Sequence, residues 1–194
     1  KPGKKTSYSN SNFLILGYII EKICGKSYAA VLEERIVSKI GLTHTHYGHK
    51  AVMEKDECFP YRFKNDWVQQ PQTDLSIPGA SGGIISTPTE MVLFIEALFS
   101  KKIISENSLN TMKTITDGHG MGFLEFEFDK KKALGYIGGI DEYESVLAYF
   151  PGDSLAIALC SNGRVYPMRS IVIGSLSIYY DKIYAIPDFK KATT

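Results

Sequence analysis

The feature that most limits the fold of this chain is a change of hydrophobic period in its last third. Before Met112 several segments carry apolar residues at helical spacing, whereas Leu124-Glu125-Phe126-Glu127-Phe128 alternates strictly. A period of 3.6 gathers side chains on one face of a helix and a period of 2 on one face of a sheet, so neither pattern serves for the other. Leu124 to Phe128 therefore reads as a half-buried strand. Leu134 to Gly138, Ser145 to Phe150 and Leu155 to Cys160 read as further strands, the last two joined by the turn Pro151-Gly152-Asp153-Ser154 as an antiparallel hairpin. Met168 to Tyr184 reads as a closing helix with Ile171, Val172, Leu176 and Tyr179 inward. Helices first, then a meander and a terminal helix, give an α+β arrangement. The expectation is one domain over 1–194, mainly helix and loop over 1–120, sheet and helix over 121–194.

The helical part carries its own boundary signals. Asn10 or Ser11 can cap a helix in which Phe13, Leu16, Ile20 and Ile23 keep the period, and Gly25 sits where a left-handed C-cap is expected. Ser27 opens a second helix with Val31, Leu32, Arg35 and Ile36 in step, closed by Gly41. Residues 43–78 contain Pro60, Pro71 and Pro78 with no sustained period, either a lid-like region or an insertion of loop. Thr87-Pro88-Thr89-Glu90 is a capping box with a first-turn proline, ahead of a stripe of Met91, Phe94, Ile95 and Leu98. A shorter helix begins at Ser105 and carries Leu109 and Met112.

Composition removes several classes of function. Lys+Arg 22 against Asp+Glu 21 leaves a net charge of +1, which supplies no field for nucleic acid. Lys130 to Lys132 read as a solvated turn between strands. The longest apolar runs, such as Phe13 to Leu16 and Ile171 to Ile173, are far too short for a transmembrane segment, and no stretch has a signal-peptide pattern. Cys24, Cys58 and Cys160 lack zinc-ligand spacing; Cys24 in a helical pattern and Cys160 in an apolar strand read as buried thiols. His44, His46 and His49 could bring imidazoles together, but with no carboxylate or cysteine pattern beside them they read as a solvated loop, so neither a metal nor a cofactor is expected.

The residues with catalytic potential are Tyr8 and Asn10, at the mouth of the first helix. A phenol can exchange a proton with a nucleophile and a carboxamide can hold a substrate amide. No serine in the chain is followed by lysine at the third position, so the pair has no lysine-activated nucleophile. Gly79-Ala80-Ser81-Gly82-Gly83 satisfies Gly-x-Ser-x-Gly, but Pro78 interrupts the strand a nucleophile elbow needs, and Asp117 stands too close to His119 for a triad. It reads as a glycine turn.

Three patches then stand in order: Pro2-Gly3 with Tyr8-Ser9-Asn10 and Leu16 to Lys22; Gly79 to Gly83 with Ser86 to Met91; and Gly135-Tyr136-Ile137-Gly138-Gly139 ahead of Cys160-Ser161-Asn162-Gly163. Together they resemble the serine β-lactamase and penicillin-binding-protein superfamily, in its class C β-lactamase, D-alanyl carboxypeptidase and esterase branch, from Pro2 to about Tyr180. The resemblance implies an acyl-enzyme hydrolase with a Ser-x-x-Lys segment, absent here and expected upstream, so that the chain is a C-terminal portion of a partial β-lactamase/transpeptidase-like fold. It implies Tyr8 as the catalytic proton shuttle, and Asn10, Tyr136, Gly138 and Gly139 as substrate-binding residues, with a small-molecule or peptide substrate and its own upstream segment as partners. A free phenol titrates near ~10, so Tyr8 would need a cationic neighbour to act as a base. Tyr136 replaces the basic residue at the head of the third motif, and Glu142 stands where the family usually has glycine. Both changes point away from anionic β-lactams towards a neutral ester, amide or peptide. The alternative implied is a non-catalytic binding protein for peptidoglycan-type peptides or a protein partner. The family's usual place is the periplasm or cell envelope.

Overall fold

The computed structural model describes residues 6–52 and 57–186; Pro2-Gly3 of the first patch lie outside them. The helical part comprises α1 (Asn10–Cys24), α2 (Tyr28–Leu32), a π-helical turn (Glu33–Val37) and α3 (Ser38–Ile40). Short strands β1 (His46–Tyr47), β2 (Tyr61–Phe63) and β3 (Trp67–Gln69) follow, then a 3-10 turn (Gly79–Ser81), β4 (Ile84–Ile85), α4 (Pro88–Phe99) and α5 (Glu106–Met112). The chain then runs through β5 (Leu124–Phe128), β6 (Lys131–Ile140), β7 (Tyr143–Phe150) and β8 (Leu155–Ser161) into α6 (Met168–Tyr179).

Strands β5 to β8 form an antiparallel meander in sequence order. Neighbours along a strand point to opposite faces, and Ala133 and Leu134 are both buried, so the centre of the sheet is covered on both sides. Leu134 packs with Leu98 of α4, Leu109 of α5 and Phe123. Ala133 packs with Ala148, Phe150 and Leu176 of α6. Two helical layers thus sandwich a sheet, the mixed helix and antiparallel-sheet class expected from the change of period.

Local chemistry fixes the helix ends. Ser27, Thr87 and Ser105 each accept a backbone N–H from the first turn of their helices, while Gly25 and Gly41 take the left-handed conformation at φ 64° and 73°. The α1 cap is Ser9, not Asn10 or Ser11. At α4 only half of the capping box forms. Thr87 accepts the Glu90 N–H, but the Glu90 carboxylate turns away to bind the Thr43 and His44 N–H groups and the Thr45 hydroxyl. A buried carboxylate gains more from three loop donors than from one capping donor.

Several inward faces differ from expectation. In α1 Leu16 and Ile23 are exposed and Gly17 is buried, because the helix lies on the 3-10 turn. A Cβ on Gly17 would stand 2.5 Å from that of Ala80, so only glycine permits this approach. In α6 Val172 and Leu176 point inward but Ile171 and Tyr179 do not; Tyr180, just past the helix, packs on Phe128 and Phe150 instead. Cys160, on β8 at the margin of the described sheet, is exposed, and so is Cys58; none of the three cysteines forms a disulfide. The segment 43–78 is partly strand, with β1 paired to β4 and β2 to β3.

Candidate active site

The extended backbone of Ser9, at φ −153° and ψ 130°, turns the chain into α1 and sets Tyr8 and Asn10 on either side of the cap. The Tyr8 hydroxyl donates to Asn10 Oδ1 at 2.7 Å. Phe13, one helical turn on, lies 5.9 Å from the Tyr8 ring and 6.3 Å from that of Tyr136, both measured between centroids. Tyr8, Asn10 and Tyr136, far apart in sequence, therefore share one site. Burial, then a side-chain hydrogen bond with Tyr8, pushes the Tyr136 phenol up to about 12, so it is neutral and able to donate at physiological pH.

Strand β6 supplies the site's second wall. It pairs with β5 only as far as Gly135, whereas its pairing with β7 runs from Leu134 to Ile140. From Tyr136 to Ile140 the β5-side edge is thus left without a strand partner among the described residues. Backbone groups along such an edge can pair with an extended ligand. Gly138 and Gly139, opposite Ser145 and Glu144, are exposed there. A Cβ on Gly139 would stand 2.7 Å from the Arg164 guanidinium, so a side chain there would displace the arginine.

Arg164 is the charged residue that sequence reasoning missed. It donates to the Tyr143 carbonyl at 3.1 Å and faces Glu144 at 3.5 Å, which sets a cation beside Gly139. The available signal was register: pairing of Glu144 with Ser161 brings the residues after β8 to the β6–β7 turn. Glu142 also differs from expectation. It is buried and bound by the Arg62 guanidinium through Nε at 2.9 Å and a second nitrogen, so its charge is answered within the fold.

The β6–β7 turn and the end of β8 are clasped by residues 58–73. Tyr143 donates to the Cys58 carbonyl, the Asn162 amide to the Phe59 carbonyl, and the Thr73 N–H and hydroxyl to Asp141. The wall carrying Tyr136 is therefore braced at its far end. Ser81 of the glycine turn donates to the Pro78 carbonyl and sits in the 3-10 turn, not at a strand-to-helix elbow.

The comparisons with known proteins agree with this architecture. The chain is 29% identical over 119 residues to the putative penicillin-binding protein PbpX of Bacillus subtilis, covering 60% of this chain and 30% of that protein. Among solved structures it resembles a D-stereospecific amidohydrolase from Streptomyces sp., at 26% identity and TM-score 0.76, covering 84% of this chain and 52% of that one. It also resembles the octameric penicillin-binding protein homologue from Pyrococcus abyssi, at 26% identity and TM-score 0.80, covering 94% and 44%. The chain thus spans about half, or less, of the length of these relatives. The family model described as Beta-lactamase matches residues 1–172, and this chain belongs to that family.

Proposed function

We propose that this chain is the substrate-binding portion of a serine hydrolase that forms an acyl-enzyme on an ester, amide or D-amino-acid peptide. One observation carries the reading: at Tyr136, Tyr8 and Asn10 meet the edge of β6 that has no strand partner among the described residues. An extended substrate would lie along Tyr136 to Gly139, Asn10 would hold its amide, and Tyr8 would pass the proton. The nucleophile and its lysine would come from an upstream segment. The apolar face of α1 supports this, since Ile15, Leu16, Ile19 and Ile23 stand exposed on one side of the helix. The pairing of Glu142 with Arg62 removes one repulsion towards substrates bearing a carboxylate, and Arg164, shared with Glu144, lies beside Gly139. Among the described residues no helix is long and apolar enough to cross a membrane, and we place the protein in the cell envelope, as its penicillin-binding relatives suggest.

The test uses the full-length gene product, labelled with a serine-reactive fluorophosphonate or a fluorescent penicillin and weighed. A single adduct is expected. Tyr8→Phe should slow ester or amide turnover by about 10²–10⁴-fold, the usual worth of a positioned proton shuttle. Full activity in that variant would remove Tyr8 from the mechanism. A second reading, a non-catalytic peptide-binding protein, is favoured by the neutral Tyr136 in place of a cation. Folded protein that takes neither label would support it.

A further inference from the structure

Outside this site, one cluster of side chains among the described residues has the arrangement of metal ligands. His46, His49 and Glu57 each offer a ligand atom, and the three atoms lie within 4.8 Å of one another. We infer that His46, His49 and Glu57 form a binding site for a divalent transition-metal ion, zinc first, which ties β1 to the segment clasping the substrate-binding wall.

Two buried atoms carry the inference. His46 Nε2 and Glu57 Oε1 face each other at 3.1 Å, yet neither makes a hydrogen bond. The Glu57 side chain is only 9% exposed. Burying a carboxylate oxygen and an imidazole nitrogen without a hydrogen bond is costly, and a cation between them removes that cost. Zinc bonds nitrogen and carboxylate oxygen at 2.0–2.2 Å, so neighbouring ligands in a tetrahedral site stand about 3.3 Å apart. The His46–Glu57 pair is already at that spacing. The widest separation within the triad needs to shorten by only about 1.5 Å for a tetrahedral fit.

The surroundings orient the ligands as metal sites require. The other Glu57 oxygen, Oε2, accepts the Val52 N–H at 2.8 Å, which aims Oε1 at the cluster. His49 Nδ1 is 2.6 Å from the Lys50 carbonyl and so carries the proton; in that tautomer Nε2 is the basic nitrogen. The His46 and His49 rings lie 5.8 Å apart between centroids. His46 is held on β1 opposite Ile85, a fixed point for the site. Two imidazoles and a carboxylate suit zinc and its first-row neighbours, and three protein ligands leave a fourth position for water. His44, the third histidine of the run, is excluded: its ring faces Glu90 at 3.3 Å.

Position gives the site its consequence. Glu57 immediately precedes Cys58 and Phe59, whose carbonyls accept from Tyr143 and Asn162. A metal held by Glu57 and β1 therefore fixes the start of the clasp on the β6–β7 turn. This inference does not depend on the hydrolase reading. Chelator-treated full-length protein would be titrated with zinc chloride by calorimetry and melted with and without zinc. One equivalent should bind, and zinc should raise the melting temperature. His49→Gln and Glu57→Gln should each weaken binding more than about 10-fold and abolish the thermal shift, while His119→Gln, outside the cluster, should change neither. Circular dichroism would confirm that the variants fold, and His49→Gln, which leaves the His46–Glu57 pair intact, serves should Glu57→Gln unfold. No stoichiometric binding, or equal binding in parent and His49→Gln, would overturn the site and leave His46 and Glu57 as a bare ion pair.

Discussion

Helices α1 and α4 start from similar sequence patterns and end in opposite circumstances. Both follow a hydroxyl cap and carry apolar residues at helical spacing. In α4 the stripe is covered: Ile95, Ala97 and Leu98 are 1%, 6% and 5% exposed. In α1 Ile15, Leu16, Ile19 and Ile23 remain 54%, 52%, 45% and 79% exposed. The periodicity of α1 therefore identifies a helix without identifying its buried side. The side that is buried here is chosen by Gly17, where the missing side chain lets the 3-10 turn approach. A stripe says that a face wants cover, and only the neighbouring element says whether it has it.

The largest expected effect tests that contrast directly. Ile95→Ala should destabilise the chain by about 2–5 kcal/mol, because it opens a cavity in packed surroundings. Ile19→Ala should cost less than about 0.5 kcal/mol in the same urea titration. Equal losses would mean that the α1 face is covered in solution.

Glu90 gives the second effect and separates the covered start of α4 from the exposed start of α1. Burial alone would raise its carboxyl, but bonds from the Thr45 hydroxyl, the Thr43 and His44 N–H groups and the His44 ring hold it at about 2, well below the usual 4.5. Between those values the unfolded state binds more protons than the folded one. The stabilisation is thus present above about 4.5 and lost as pH falls towards about 2. Glu90→Gln should cost about 1.5–3 kcal/mol at neutral pH and flatten the acid limb of a stability–pH profile. An unchanged limb would remove Glu90 as its source.

Gly17→Ala should give a loss smaller than that of Glu90→Gln, on the order of 1 kcal/mol, as the helix-propensity gain of alanine partly offsets the collision with Ala80. Ala80→Gly should restore stability to the Gly17→Ala chain, a coupling visible in a double-mutant cycle. Additive losses would show that α1 and the turn do not meet there.

The same contrast explains what could be read from the sequence. Leu124 to Phe128 appears as β5 with the expected ends, since an alternating strand between turn residues carries its whole signal locally. Gly25, Gly41, Ser27, Thr87 and Ser105 likewise mark helix ends because capping is settled within a few residues. The pair of Arg62 with Glu142 spans 80 positions, and no local pattern announces it. Arg164 and Glu57 are hidden for the same reason, becoming informative only once the sheet brings the end of β8 to the β6–β7 turn and the loop brings Glu57 beside β1. Of the candidate site, Tyr8, Asn10, Tyr136, Gly138 and Gly139 were named from motif order alone. Their juxtaposition, and the cation beside them, needed the fold.

The single tryptophan of the chain turns one of these contacts into an optical signal. Trp67 sits in β3 with its ring 5.3 Å from that of Phe63, and its edge occupies the space a side chain on Gly163 would fill. It is half exposed, so its emission should redden when the β2–β3 hairpin lifts off the end of β8 and water reaches the covered edge. Helix dichroism would not register that movement. An emission change that precedes loss of helix signal would report opening of the clasp as an event separate from global unfolding.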